Sequence, residues 1–192
     1  MKPEGKENAW FTTSSGRMFF PWRPDELQVN LEDLAHTLSQ INRWGGHTRV
    51  PYSVAQHSIF VAECCPVVKR AWGFLHDTTE AYMGGDIVSP IKRNVPDLVA
   101  LEAGIAEAIT DRFGLPRGAL DDREVKEADL LVLAWEYRDL MPLTLTPGVG
   151  GTTPLPMSAY RDAIKDFPTI TAWTARHAEE AFLEYAGKLG LS

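Results

Sequence analysis

His76 and Asp77 stand side by side in Gly73-Phe74-Leu75-His76-Asp77-Thr78-Thr79-Glu80, and a neutral imidazole beside an ionised carboxylate can grip one metal ion. Two more residues of the same kinds can complete the shell: His57, in Ser53-Val54-Ala55-Gln56-His57-Ser58, and Asp129, in Val125-Lys126-Glu127-Ala128-Asp129. A mixed nitrogen and oxygen shell suits a borderline divalent transition ion such as cobalt, manganese or zinc. Oxygen ligands alone would point to magnesium or calcium, and thiolates to structural zinc. An ion with open positions lowers the pKa of water to about 7 and neutralises charge on a phosphoryl oxygen. Metal-dependent hydrolysis is the chemistry this set points to.

Three local patterns must position these side chains. Ser53 followed three residues later by Gln56 is a capping-box pattern, opening a helix through Val54, Phe60 and Val61 that stops before Pro66 and carries His57 near its first turn. A second helix, over residues 68–82, places His76, Asp77 and Glu80 on one face, because residues three and four apart are neighbours. In residues 124–140, Val125, Ala128, Val132 and Trp135 form an apolar stripe at helical spacing, and Asp129 falls on it. A carboxylate facing inward is costly unless it meets a cation or a partner, so Asp129 is read either as a metal ligand or as half of a buried salt bridge. Glu136 lies on the same stripe and fits the simpler ion-paired case. A His-Asp dipeptide also arises by chance, His57 taken alone fits a packed core histidine, and Glu80 taken alone fits a solvated helix glutamate.

The order His57, His76-Asp77, Asp129 resembles the HD-domain metal-dependent phosphohydrolases. Arg43-Trp44, Tyr52-Ser53-Val54-Ala55-Gln56-His57, His76-Asp77-Thr78-Thr79-Glu80-Ala81-Tyr82, Gly85-Asp86-Ile87 and Pro90-Ile91-Lys92 are similar to the bacterial 5′-deoxynucleotidase branch and its phage relatives, across residues 31–140. The resemblance implies that His57, His76, Asp77 and Asp129 bind the ion. It further implies that Glu80 and Asp86 orient and deprotonate the attacking water, that Arg43 contacts the substrate phosphate, and that Trp44 packs near the sugar and favours deoxyribose. The pair Gly84-Gly85 adds a residue before Asp86 relative to that pattern. An HD-type helical bundle and a homo-oligomer are also implied.

The formal net charge of −7 gives a global field that repels an anionic nucleotide, so local cations must hold it. Arg43, Arg49, Lys92 and Arg93 are the candidates, with arginine favoured because its planar fork donates two hydrogen bonds to one phosphate. Arg93 equally fits a solvated surface. Trp44 fits either core packing or a pocket wall, since Gly45-Gly46-His47-Thr48-Arg49 can bring backbone close to a ligand. His47 then touches substrate or merely lines a polar loop. His36 and His177 read as ordinary helix residues. Without a basic stripe, long nucleic acid is excluded as a partner.

The 192 residues suffice for one domain with a core able to hold a pocket. The expected class is all-α, with further helices over residues 31–41, 98–113 and 171–189. A short hairpin over residues 10–20 turns at Ser14-Ser15-Gly16, with Phe11, Met18 and Phe20 expected to pack. Residues 142–156, rich in proline, glycine and threonine, read as a long loop. Adjacent Cys64-Cys65 is neither a disulfide framework nor a useful zinc pair, and no run of about 18 apolar residues occurs. A cytoplasmic protein, bacterial or in a phage-infected host, and no membrane partner are expected.

The leading expectation is hydrolysis of deoxyribonucleoside 5′-monophosphates. A phage-type dATP triphosphohydrolase is the alternative, with Arg49, Lys92 and Arg93 serving the outer phosphates. A nucleotide-binding regulatory module without turnover is the alternative from another class, against which Glu80 argues because binding needs no water-orienting acid.

Overall fold

The computed structural model describes residues 5–142 and 157–192, and the chain is all-α with a small extended element at its N-terminal end. The hairpin pairs β1 (Phe11–Thr12) with β2 (Met18–Phe19), antiparallel, with Phe11 opposite Phe19. Phe19 is the buried member and stacks on Tyr82 at a centroid distance of 3.9 Å, whereas Phe11 and Met18 are exposed. On β2 the expected packing side is therefore one residue off, which in a two-residue period exchanges the faces, whereas Phe11 keeps its expected side, its ring 5.6 Å from that of Phe19. Asp33 holds the turn: its carboxylate accepts from the Ser14 and Ser15 hydroxyls and from the Ser15 N–H.

Helix α1 (Leu31–Gln40) starts at Asn30, whose side chain accepts from the Asp33 N–H. Helix α2 (Val54–Cys64) starts at Ser53, whose hydroxyl accepts from the Gln56 N–H, and ends ahead of Pro66 as expected. The reciprocal half of the box is missing, because the Gln56 amide instead donates to Thr171 O and accepts from the Trp173 N–H. Those two bonds hold the chain extended before α9 (Ala175–Lys188). That helix begins later than residue 171 because Thr174 caps it.

The expected helix over residues 68–82 is divided into α3 (Arg70–Leu75) and α4 (Glu80–Met83). Between them the bonds Thr78 N–H to Leu75 O and Glu80 N–H to Asp77 O are i to i−3, and the Thr78 hydroxyl also donates to Leu75 O. This tighter winding brings side chains three apart into line, so Asp77 and Glu80 still share a face. Beyond lie α5 (Ser89–Lys92), α6 (Pro96–Arg112), α7 (Arg123–Leu140) and α8 (Met157–Ile164). Asp122 caps α7 by accepting from the Glu124 N–H. Of the loop expected over residues 142–156, all but Pro142 lies outside the described residues.

Helix α2 is the axis of the packing, touching α1, α3, α7 and α9. It is accordingly buried on nearly every side, from Val54 to Ile59 and again at Val61 and Ala62, as a helix enclosed by others must be. Its flank against α3 and α7 is filled by Val61, Cys65, Val125, Ala128 and Val132. His57, fourth residue of α2, thus sits on the innermost helix, facing the turn after α3 and the middle of α7. No helix among the described residues is long and apolar enough to cross a membrane.

Candidate metal centre

Three elements deliver the expected ligands to one point. His57 comes from the first turn of α2, His76 and Asp77 from the tight turn after α3, and Asp129 from the second turn of α7. One ligand atom each from His57, His76 and Asp129 lies within 4.8 Å of the others, and this group can hold a metal ion. Asp77 joins from the side: its Oδ2 is 3.4 Å from His57 Nε2 and 3.3 Å from His76 Nε2, and it also accepts from Arg43 Nη1 at 3.0 Å.

The hydrogen bonds of the two imidazoles decide where their lone pairs point. His57 Nδ1 lies 2.6 Å from Glu136 Oε1 and His76 Nδ1 lies 2.7 Å from Gly73 O. A carboxylate and a carbonyl can only accept, so both Nδ1 atoms donate, leaving each neutral ring with its lone pair on Nε2. Those two Nε2 atoms face each other at 3.3 Å. Facing lone pairs repel unless a cation or a proton lies between them. Asp129 Oδ1 is 3.3 Å from His57 Nε2, yet it is buried and accepts no hydrogen bond. The donor set can therefore hold a metal ion, with both histidines oriented by a hydrogen bond from the ring nitrogen turned away from the centre.

Charge in the cluster is strongly coupled. Burial and the neighbouring Arg43 guanidinium both disfavour a proton on His57, but Glu136, Asp129 and Asp77 outweigh them and hold its pKa well above the usual histidine value. Burial would raise the Asp77 carboxyl, yet His76, His57 and Arg43 hold it well below the carboxylate range. Glu80 goes the other way: burial first, then the Asp77 and Asp86 carboxylates, push it well above the usual glutamate value. Its Oε2 is buried without a hydrogen-bond partner. This is no solvated helix glutamate.

A cavity of about 440 Å³ opens beside the cluster, lined by His76, Asp77 and Asp129 on one side and by α6 residues Val99, Glu102, Ala103 and Ala106 on the other. Lys92 lines it too, with Nζ held 2.6 Å from Glu102. Arg43 is nearly buried, with its second amino group 3.8 Å from Asp129 and 3.7 Å from Glu136. Trp44 has a left-handed backbone, φ 60°, rare for a non-glycine residue, and its indole N–H donates to Glu136 Oε2 at 3.1 Å. Asp86 Oδ2 accepts a long, 3.4 Å bond from the Gly45 N–H. His47 is exposed, and its backbone N–H closes the Trp44 turn. Neither Asp86 nor His47 is among the described residues lining the cavity.

Glu136 has a larger place here than its sequence reading as an ion-paired residue, because its partner is the ring of His57, a member of the metal-capable group itself. The available signal was its position seven residues after Asp129 on the stripe of α7, which returns to the same helix face.

No family model matches the chain. It is 37% identical to the uncharacterized protein YfdR of Escherichia coli over 132 residues, which cover 69% of this chain and 72% of that one. It is 30% identical to an uncharacterized protein of Rhodobacter capsulatus over 187 residues, 89% of this chain and 95% of the relative. The chain belongs to the family that these two proteins share.

Proposed function

We propose that the protein is a divalent-metal-dependent phosphohydrolase acting on deoxyribonucleotides, most directly a 5′-deoxynucleotidase releasing phosphate from deoxyribonucleoside monophosphates. The observation that carries this reading is the pair of histidine Nε2 atoms facing each other at 3.3 Å beside the unpartnered oxygen of Asp129. A divalent ion held by His57, His76, Asp129 and Asp77 would acidify water and offset phosphoryl charge. Glu80 Oε2, free of hydrogen bonds, is available to take the proton of the attacking water, and its raised pKa suits that exchange. Asp86 keeps Glu80 basic through its charge. Arg43, bound to Asp77, and Lys92, which lines the cavity, offer cations to the phosphate, and the Trp44 loop and the apolar face of α6 are the surfaces left for sugar and base.

Triphosphate hydrolysis is the second reading. Of the cations it would need, Lys92 lines the cavity, whereas Arg49 is turned to the end of α7, donating to Asp139 O. Arg93 is exposed and is not among the described lining residues. This favours the monophosphate. A silent regulatory module would leave the buried Glu80 carboxyl without a task.

The test is a panel of deoxy- and ribonucleoside mono- and triphosphates with Co²⁺, Mn²⁺ or Zn²⁺, the products identified by ³¹P NMR. Inorganic phosphate from deoxyribonucleoside monophosphates is expected. Triphosphate released from dNTPs would establish the second reading, and ion-dependent nucleotide binding without turnover would establish the regulatory module.

A further inference from the structure

Glu136 is fully buried, with one donor on each carboxylate oxygen. Oε1 accepts from His57 Nδ1 at 2.6 Å, and Oε2 accepts from Trp44 Nε1 at 3.1 Å. The first bond places the His57 lone pair on Nε2, towards the cluster. The second pins a tryptophan whose backbone is left-handed at φ 60° and whose ring also leans on Tyr137, at a centroid distance of 6.1 Å. Left-handed backbone at a bulky residue is strained and persists only where its surroundings impose it. The indole bond to Glu136 is such a restraint, and next to it in sequence is Arg43, which reaches Asp77. One carboxylate therefore joins an imidazole of the cluster to the loop that carries Arg43 and Trp44.

We propose that Glu136 is a positioning residue that holds the ligand nitrogen of His57 towards the metal and, through its second oxygen, ties the Arg43-Trp44 loop to the same centre. This rests on the metal-centre reading above. The two oxygens cannot be replaced by an amide. Glutamine has the same shape but one acceptor and one donor group. The Trp44 indole can only donate, so it takes the amide oxygen and the NH₂ is left to His57, whose Nδ1 can accept it only by shifting the ring proton to Nε2, the atom turned to the cluster.

That conflict makes the proposal testable by ion binding, without turnover. Affinities for Co²⁺ and Zn²⁺ would be measured by chelator competition on the full-length protein, the Glu136→Gln variant, the Trp44→Phe variant and the double variant, with folding followed by circular dichroism. The single glutamine variant should bind about 10- to 100-fold more weakly, the usual cost of losing the partner of a ligating histidine. Removing the indole N–H frees the glutamine oxygen to turn to His57, so the double variant should recover part of that loss. A residue that only stabilises the fold would give additive losses instead. In the Zn²⁺-loaded natural protein, ¹⁵N spectra should show His57 protonated at Nδ1, a readout that needs no variant and survives if Glu136→Gln fails to fold.

Unchanged affinity in Glu136→Gln, no recovery in the double variant, or His57 bound through Nδ1 overturns the positioning role while leaving the metal centre standing. If the natural protein binds none of the ions, the role falls together with the reading beneath it.

Discussion

Arg43 Nη1 donates to Asp77 Oδ2 across 3.0 Å, from a side chain only 10% exposed. The same guanidinium faces Asp129 and Glu136, so in the ion-free protein Arg43 is a positive charge shared by three acidic groups. Removing one partner of a buried charged pair leaves the others uncompensated, at a cost of about 3–5 kcal/mol. Arg43→Ala should therefore lower the melting temperature markedly in EDTA, and saturating divalent ion should restore part of it by supplying the missing charge. A variant that melts with the natural protein in EDTA would refute this account of Arg43.

With a metal held as proposed, proton and metal would compete for His57. Its pKa is raised, so in the ion-free protein its stabilising contribution is complete below the usual histidine value and is lost as pH rises through the raised one. Metal binding works in the opposite direction, since Nε2 must shed its proton first. Each proton released makes the apparent affinity rise about tenfold per pH unit below the raised pKa. Melts with and without Co²⁺ at pH 6 and pH 8 should show the larger metal-induced gain at pH 8, and equal gains would count against proton release at His57.

Glu80→Gln should separate activity from stability. The folded carboxyl is raised, so it binds its proton more tightly than the unfolded chain does, and the folded state loses stability as pH climbs from the usual glutamate value towards the raised one. Glutamine has no charge to desolvate. The variant should melt higher than the natural protein at neutral pH, by about 2–4 °C per kcal/mol relieved, while turnover falls about 10²- to 10⁴-fold. A lower melting temperature would show that Glu80 is held by partners rather than strained by burial.

Gly73 serves His76 twice, through its carbonyl and through the Cβ it lacks. A Cβ there would lie 2.5 Å from Cys65 Sγ and 3.4 Å from the α2 backbone. Gly73→Ala should thus cost about 1–3 kcal/mol through overpacking and weaken metal binding by displacing His76. Adding Cys65→Ala removes the nearest obstacle and should return much of the stability, as chemical denaturation would reveal. If the double variant is no more stable than the single one, backbone proximity and not the sulfur limits the approach of α3.

Caps and stripes were legible because they are local. Ser53 opens α2, and the apolar stripe of α7 fixes the inward side of Asp129, both within one or two helical turns. The break between α3 and α4 was not legible: Thr78 and Thr79 are compatible with a continuous helix pattern, and only the observed i to i−3 bonds show the tighter winding. Phe19 likewise differed from the expected packing residues by one position, because a two-residue strand offers too short an alternation to set its register.

Sequence alone determined the all-α class and the starts of α1 and α2, which follow from helical periodicity and capping chemistry, and it supplied the types of side chain available for a metal centre. Tertiary structure decided which acid does what: Asp129 is left with an unpartnered oxygen, Asp77 is shared with Arg43, Glu80 is driven up by its neighbours, and Glu136 joins His57 to Trp44. Those four carboxylates look alike along the chain. Their roles differ because a buried charge is governed by partners that are far away in sequence and reach it only when the helices pack.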